Sequence, residues 1–409
     1  MRRRYQIGTL ALSTALMTAG CGLYSSGDEA APPTISVDTG SPGEETDATA
    51  GPDAGTMADG GTMADSGSEE PQGIPALGDG EDTLNSIRVT TIAGGGSGLA
   101  NPTDIEFNPE ADDQLWAVNR KNSSTVVISK ASTDERSAET YDGLGSSHFM
   151  SKPAALAFGQ PGFMATAQQE DEKTQPSTPK DFMGPTLWTT DLETFDSGHH
   201  GHMDMLHNSP LASGIAWEEK NTYWVFDGYH DSVTRYAFNM DHGPGGQDHS
   251  DGELRRYIEG KVSIAEGVPA HLDLDRETGL LYIADTGNNR IARLDTATGE
   301  VGPRVTPNYD GTDQAKVVGA ESETLIDGSE VGLEKPSGLE LHDDHLYVSD
   351  NATSTVYAFT LEGELVDSLD VSRFVDAGSM MGLALDADNH IYLADFGKNR
   401  ILRLAPAGE

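Results

Sequence analysis

The chain has 409 residues, enough for one large or two ordinary domains, and 36% hydrophobic content with 47 glycines suits a turn-rich all-β protein better than a helical one. A formal net charge of −41 argues against nucleic acid as a partner, because phosphate would be repelled, and leaves cations, cationic peptides and basic surfaces open. The single cysteine, Cys21, excludes an internal disulfide.

The first predicted element is a secretion signal over residues 1–20. Arg2, Arg3 and Arg4 precede an apolar stretch from Ile7 to Ala19, and Gly20 and Cys21 follow it. Small residues before a cysteine resemble a bacterial lipobox, which would make Cys21 the lipidated first residue of the mature chain. Gly22 in the next position points to the outer membrane or cell surface. No other apolar stretch is long enough to span a bilayer, so membrane contact is expected through the lipid alone.

Residues 21–84 come next and read as an acidic stalk. From 22 to 84 there are 14 acids and no Lys, Arg, His, Phe or Trp, with a near-duplication, "GTMADGGTMADSG". Such a segment cannot bury enough apolar surface to offset chain entropy, and charges of one sign keep it extended. Together with the three signal arginines, this leaves −30 on residues 85–409, the predicted folded domain.

That domain repeats. "LLYIADTGNNRIARLD" (280–295) is an apolar strand, an acid, a polar turn, an Arg and a second apolar strand. "HIYLADFGKNRILRLA" (390–405) copies it closely. "HLYVSDNATSTVYAFT" (345–360), "TYWVFDGYHDSVTRYAF" (222–238) and "QLWAVNRKNSSTVVIS" (114–129) copy it loosely. Each follows a short strand opened by Pro or a small residue: "NPTDIEF" (101), "KPAALAF" (152), "SPLASGIAW" (209), "VPAHLDL" (268), "KPSGLEL" (335) and "SMMGLAL" (379). Six units start roughly 44 to 67 residues apart, and the second is split by a Pro-rich insertion. Short strands at this period mean a propeller. The acids closing the second strands, Asp227, Asp285, Asp350 and Asp395, can accept from turn amides. The sixth unit ends after three strands, and "IRVTTIAGG" (87–95) is a spare strand that would close the ring as its fourth. The predicted fold is an all-β, six-bladed propeller closed by an N-terminal strand.

Calling the strands of a blade A to D from the axis outwards, the D-to-A connections and B-to-C turns share one face, and the A-to-B and C-to-D turns the other. The first face is expected to carry Arg120, Tyr229, His230, Asn288, Asn289, His148, His199, His200, His202, His207 and His271. His242 and His249, in "DHGPGGQDHSDG", belong to a C-to-D loop and are expected on the second face. Imidazoles converging on the channel would suit Zn²⁺; His207 and His271 are the first pair, with His148 and His202 as further ligands. Ca²⁺ on Asp241, Asp248 and Asp251 is the second cofactor candidate.

The "LYIADTGNNRI" hairpin is similar to the NHL repeat, which covers residues 101–405. Parts of the chain also resemble the peptidyl-hydroxyglycine amidating lyase family, six-bladed zinc propellers. "LWAVNR" sets Arg120 after the second strand of unit one, "VFDGY" gives Tyr229, and "VPAHLDL" gives His271. The resemblance implies a Tyr229 base, Arg120 stabilising developing negative charge, and a metal as Lewis acid. The family's other Pro-His positions read "KPAALAF" and "SMMGLAL" here, without His. A gluconolactonase-like set of acidic and Asn ligands on the inner strands cannot be placed. The functional expectation is a lipid-anchored binding or scaffold module, monomeric, whose protein or small-molecule partner the sequence does not name. The alternative is a Zn-dependent lyase or hydrolase at the channel mouth.

Overall fold

A computed structural model describes residues 73–80, 83–142, 148–170, 182–197 and 201–408, all within one unit, Gly67–Glu409. The signal, Cys21, most of the stalk, His199 and His200 lie outside these residues.

Six sheets follow one another along the chain, antiparallel except for one strand pair in the third. After β1 (Ile87–Ala93), blade one is β2 (Pro102–Phe107), β3 (Gln114–Asn119), β4 (Ser124–Ser129) and β5 (Ser137–Tyr141). Blade two is β6 (Pro153–Phe158), β7 (Phe163–Gln168), β8 (Thr186–Thr189) and β9 (His202–Met205). Blade three is β10 (Ala212–Glu219), β11 (Thr222–Asp227), β12 (Ser232–Ala237) and β13 (Glu253–Tyr257). Blade four is β14 (Leu272–Asp275), β15 (Leu280–Asp285) and β16 (Arg290–Asp295), then a hairpin of β17 (Glu300–Arg304) and β18 (Asp313–Val318), then β19 (Ser322–Asp327). Blade five is β20 (Pro336–His342), β21 (His345–Asp350), β22 (Thr355–Thr360) and β23 (Leu365–Asp370). Blade six is β24 (Met380–Leu385), β25 (Ile391–Asp395) and β26 (Arg400–Pro406).

The ring closes as the spare strand predicts. β1 pairs antiparallel with β26, from Ile87 opposite Pro406 to Ala93 opposite Ile401. Alternation along each strand sends every second side chain into an inter-blade layer. All six layers are filled, for example by Trp116, Val118 and Trp188 between blades one and two, and by Ile105, Leu115, Tyr392 and Ile401 between six and one. The acids of the repeat are fully buried and do close their turns. Asp285 Oδ2 accepts from Arg290 Nε at 2.7 Å and Asp395 Oδ2 from Arg400 Nε at 2.8 Å. Asp350 Oδ1 accepts from Ala352 N at 2.8 Å.

Three features differ from expectation. Blade three has six strands, because the β17–β18 hairpin leaves blade four and β18 adds in parallel to β13. The folded part begins before residue 85: Ile74, Ala76 and Leu77 are buried against blades five and six, and Asp367 Oδ2 accepts from Ile74 N at 2.8 Å and Gly80 N at 3.1 Å. "GIPAL" (73–77) is the one apolar run of its polar neighbourhood, and burial outweighs the composition around it. His202 begins β9 and is not part of a connection.

Candidate functional site

The inner strands surround a cavity of ≈ 610 Å³ that reaches the A-to-B turns. Alternate residues of these strands face the axis, so "DIE" in β2, "HLD" ahead of and into β14, and Glu340 in β20 bring Asp104, Glu106, His271, Asp273 and Glu340 together on its wall. An innermost strand has edge N–H groups with no strand to pair with, and these acids serve them. Asp104 Oδ2 accepts from Leu156 N at 2.9 Å, Glu106 Oε2 from Phe158 N at 3.1 Å, and Asp273 Oδ2 from Leu341 N at 3.0 Å. One blade's acid thus caps the next blade's inner strand.

These carboxyls are short of positive charge. Eight Asp and Glu line the cavity against a single arginine, Arg276, whose guanidinium lies 4.4 Å over the Trp217 ring. Burial pushes Asp104 and Glu340 well above the usual carboxylate range, and burial with the neighbouring acids does the same to Glu106. Burial raises Asp273 to about 6 and lowers His271 to about 4. Glu106, Asp273 and Glu340 keep part of their surface open to the cavity, whereas Asp104 is closed off. His271 is therefore neutral. Its Nε2 faces the Ala154 carbonyl at 3.3 Å and its Nδ1 lies 3.4 Å from Asp104 Oδ1.

The raised acids bind protons more tightly folded than unfolded, so they destabilise the fold above their folded pKa values and stop doing so as pH falls through them. His271 has the opposite effect, costing stability as pH drops from 6.5 towards 4. Between pH 6 and pH 4 Asp273 regains stability while His271 loses it, so the two offset one another in this window. Asp273→Asn should therefore make the melting temperature fall more steeply from pH 6 to pH 4 than it does in wild type. Thermal melts with the same slope in both proteins would refute the assignment.

The residues singled out from the sequence do not converge. Arg120 lines a separate cavity of ≈ 500 Å³ with Lys121, Lys152 and Glu170, and its guanidinium donates to Gln169 Oε1. Burial pulls its pKa down and Glu170 opposes this. Tyr229 is 42% exposed, edge-on to His230, which is tied to Asp227 at 2.9 Å. Among the described residues no hydrogen bond or ring contact joins Arg120, Tyr229 and His271.

Of the four predicted metal histidines, only His271 lines the channel cavity. His207 follows β9, at the outer side of blade two, with Nδ1 2.5 Å from Asp310 Oδ1 and its ring 4.0 Å from Phe182. His148 lies 4.1 Å from Phe149 and His202 stacks on Phe149 at 3.7 Å, ring to ring. The predicted His207–His271 pair is thus split between the outermost strand of one blade and the innermost of another. Asp241, Asp248 and Asp251 do not form a Ca²⁺ set either; Asp241 and Asp248 each accept from the amide two residues on, Gly243 N and Ser250 N, and Asp251 accepts from Met240 N across the loop.

Among the described residues two other sets of three ligand-capable atoms lie within 4.8 Å of one another: Asp204 with His242 and His249, and Asp386 with Asp388 and His390. In the second, Asp386 is already taken up by Asp388 N, His390 N, His390 Nδ1 and Tyr392 Oη. Sequence reasoning missed the channel acids, whose signal was the alternation of acidic residues on the inner strands. Asp204 carried no signal, since its partners come from another blade.

The fold and cavity define a six-bladed β-propeller with an acidic central chamber. No family model matches the chain, and no curated protein matches it. Solved structures do. A protein of unknown function from Bacteroides thetaiotaomicron is similar with TM-score 0.52 at 11% identity, over 78% of this chain and 76% of that one. An auxiliary nutrient binding protein from the same organism is similar with TM-score 0.50 at 13% identity, over 78% and 76%. A streptogramin B lyase gives TM-score 0.47 at 9% identity, over 78% and 97%. At these identities the likeness shows the fold alone.

Proposed function

We propose that this protein is a lipid-anchored, extracytoplasmic binding propeller whose central cavity takes a small organic cation. The observation that carries the reading is the charge of the chamber: eight carboxylates face one arginine in ≈ 610 Å³. Groups held protonated for want of a counter-charge ionise when a cation enters, so the site has binding free energy in reserve for positive ligands. Trp217, whose face already accepts Arg276, and Phe107 supply ring faces that attract cations. In this reading Cys21 holds the protein at the cell envelope, the stalk gives it reach, and it works as a monomer. Among the described residues no helix is long and apolar enough to cross a membrane.

Calorimetry on the full chain with agmatine and spermidine, and glucose as neutral control, tests the cavity. The polyamines should bind with release of protons, more weakly as salt rises. A Glu106→Gln/Glu340→Gln variant should lose at least about tenfold, the loss of one charge-assisted contact. Glucose binding as well as the cations, or no response to any of the three, would overturn the reading. Cys21→Ser should move the protein out of the membrane fraction, and unchanged retention would refute the anchor.

A further inference from the structure

A second chemical centre lies away from the channel, where blade three leans on the outer edge of blade two. Asp204 is the third residue of β9. His242 and His249 come from the loop between β12 and β13. That loop was expected on the face opposite His207. It instead runs along the outside of the ring and docks on β9, with His242 N donating to Met203 O at 3.1 Å and Gly245 N to His202 O at 3.0 Å. The docking is made by backbone, so the loop is positioned before any ligand arrives.

Three buried atoms here have no hydrogen-bond partner among the described residues: Asp204 Oδ2, His242 Nε2 and His207 Nε2. With these three gathered at one place, the site lacks the partners that buried polar atoms normally find. In both histidines the other ring nitrogen is occupied. His242 Nδ1 lies 2.6 Å from the Gly243 carbonyl and His207 Nδ1 2.5 Å from Asp310 Oδ1. Each Nδ1 therefore carries the proton and each Nε2 presents a lone pair. A carbonyl or carboxylate behind the ring is how ligating histidines are oriented. Gly246 leaves room for the His242 ring, since a Cβ there would lie 2.7 Å from its Nδ1.

The spacing fits one small ion. Ligand atoms of Asp204, His242 and His249 lie within 4.8 Å of one another. The rings of His242 and His249 are 5.2 Å apart. Two imidazoles bound at about 2.1 Å to a tetrahedral ion set their centres about 5.2 Å apart. Asp204 itself is fully buried. Without an ion, His249 Nδ1 and Asp204 Oδ1 share a hydrogen bond of 2.6 Å.

We propose that Asp204, His242 and His249 bind one transition-metal ion of the zinc class. Two neutral imidazoles and a carboxylate suit such an ion, whereas calcium and magnesium ask for oxygen throughout. The ion takes the place of the proton between His249 and Asp204. His207, 6.1 Å ring to ring from His249, holds a further lone pair close by but stands outside this set of three, which leaves the fourth position to water. The ion clips the blade-three loop to the outer strand of blade two.

Full-length protein stripped with a chelator and titrated with Co²⁺ should develop the visible absorption of a four-coordinate site at one equivalent, displaced by Zn²⁺. Zn²⁺ should also raise the melting temperature of the stripped protein. Asp204→Asn and His242→Ala should each weaken Co²⁺ at least about tenfold, and Gly246→Ala, which keeps every ligand but crowds His242, about 10–100-fold. Gly94→Ala, where an added methyl meets nothing within 4 Å, should leave the Co²⁺ titration as in wild type. A cooperatively melting wild-type protein that shows no Co²⁺ band, or an Asp204→Asn/His242→Ala variant that binds as wild type does, would overturn the proposal. If His242→Ala does not fold, the wild-type spectrum and Gly246→Ala decide.

Discussion

Deleting β1, residues 87–93, should abolish the cooperative fold of the propeller. The strand is the fourth of blade six and spans the register from Ile87–Pro406 to Ala93–Ile401. Its loss removes several ladder hydrogen bonds at about 1 kcal/mol each. It also exposes the layers that Ile87 and Ile92 help to fill on either side of the blade, at about 2 kcal/mol per side chain. The sum approaches the 5–15 kcal/mol that holds an ordinary domain together, and it leaves β26 as a bare edge open to pairing with other chains. Urea unfolding followed by tryptophan fluorescence should show a lost or sharply shifted transition, with aggregation. Deleting residues 25–70 should leave the transition where it was, because Ile74 is the first buried residue among those described and the deletion spares it. Equal effects of the two deletions would refute the closure.

Gly214→Ala should be nearly as damaging from a single methyl group. A Cβ at Gly214 would lie 2.0 Å from the Ala270 carbonyl oxygen and 2.9 Å from the His271 Cα. Both are backbone, so no side chain can rotate aside. Ala270 N also donates to Ser213 O at 3.0 Å, which ties the two blades at this point. Gly→Ala normally gains about 0.4–1 kcal/mol by restricting the unfolded chain. Here the clash should outweigh that and cost about 3 kcal/mol. Because the displaced segment carries His271 into the channel, binding in the cavity should weaken too. Gly94→Ala, which meets nothing within 4 Å, should stay within about 0.5 kcal/mol of wild type. Similar melts for the two variants would show that the blades are not packed this closely.

The two centres ask different things of the ring. The channel acids cap the inner strands, Asp104 on Leu156 and Asp273 on Leu341, so replacing them should alter stability as well as binding. In the rim cluster His242 and His249 lie on a loop and Asp204 sits on the outermost strand of blade two, opposite Leu187, so its variants should spare the channel. Measuring Co²⁺ and polyamine binding on the same proteins separates the two.

The sequence alone determined the number of blades, the hairpin acids and the closing strand. These follow from local periodicity: alternation at period two, an acid facing its own turn, and a spare strand counted against a blade one short. Asp285 and Arg290 are five residues apart and need no other part of the chain to find each other. The tertiary structure decided what depends on which blades touch. Sorting His207 and His271 onto one face was sound topology, but a face is wide, and distance from the axis separates an outermost strand from an innermost one. His242 and His249 reached Asp204 because a loop bends around the rim, over 38 residues or more of sequence that no spacing rule spans. "GIPAL" was buried because the edge of blades five and six offered an apolar seat, a property of the finished ring that no window of 20 residues contains. Periodic contacts are written in the chain, whereas contacts between blades are settled by the closure of the ring.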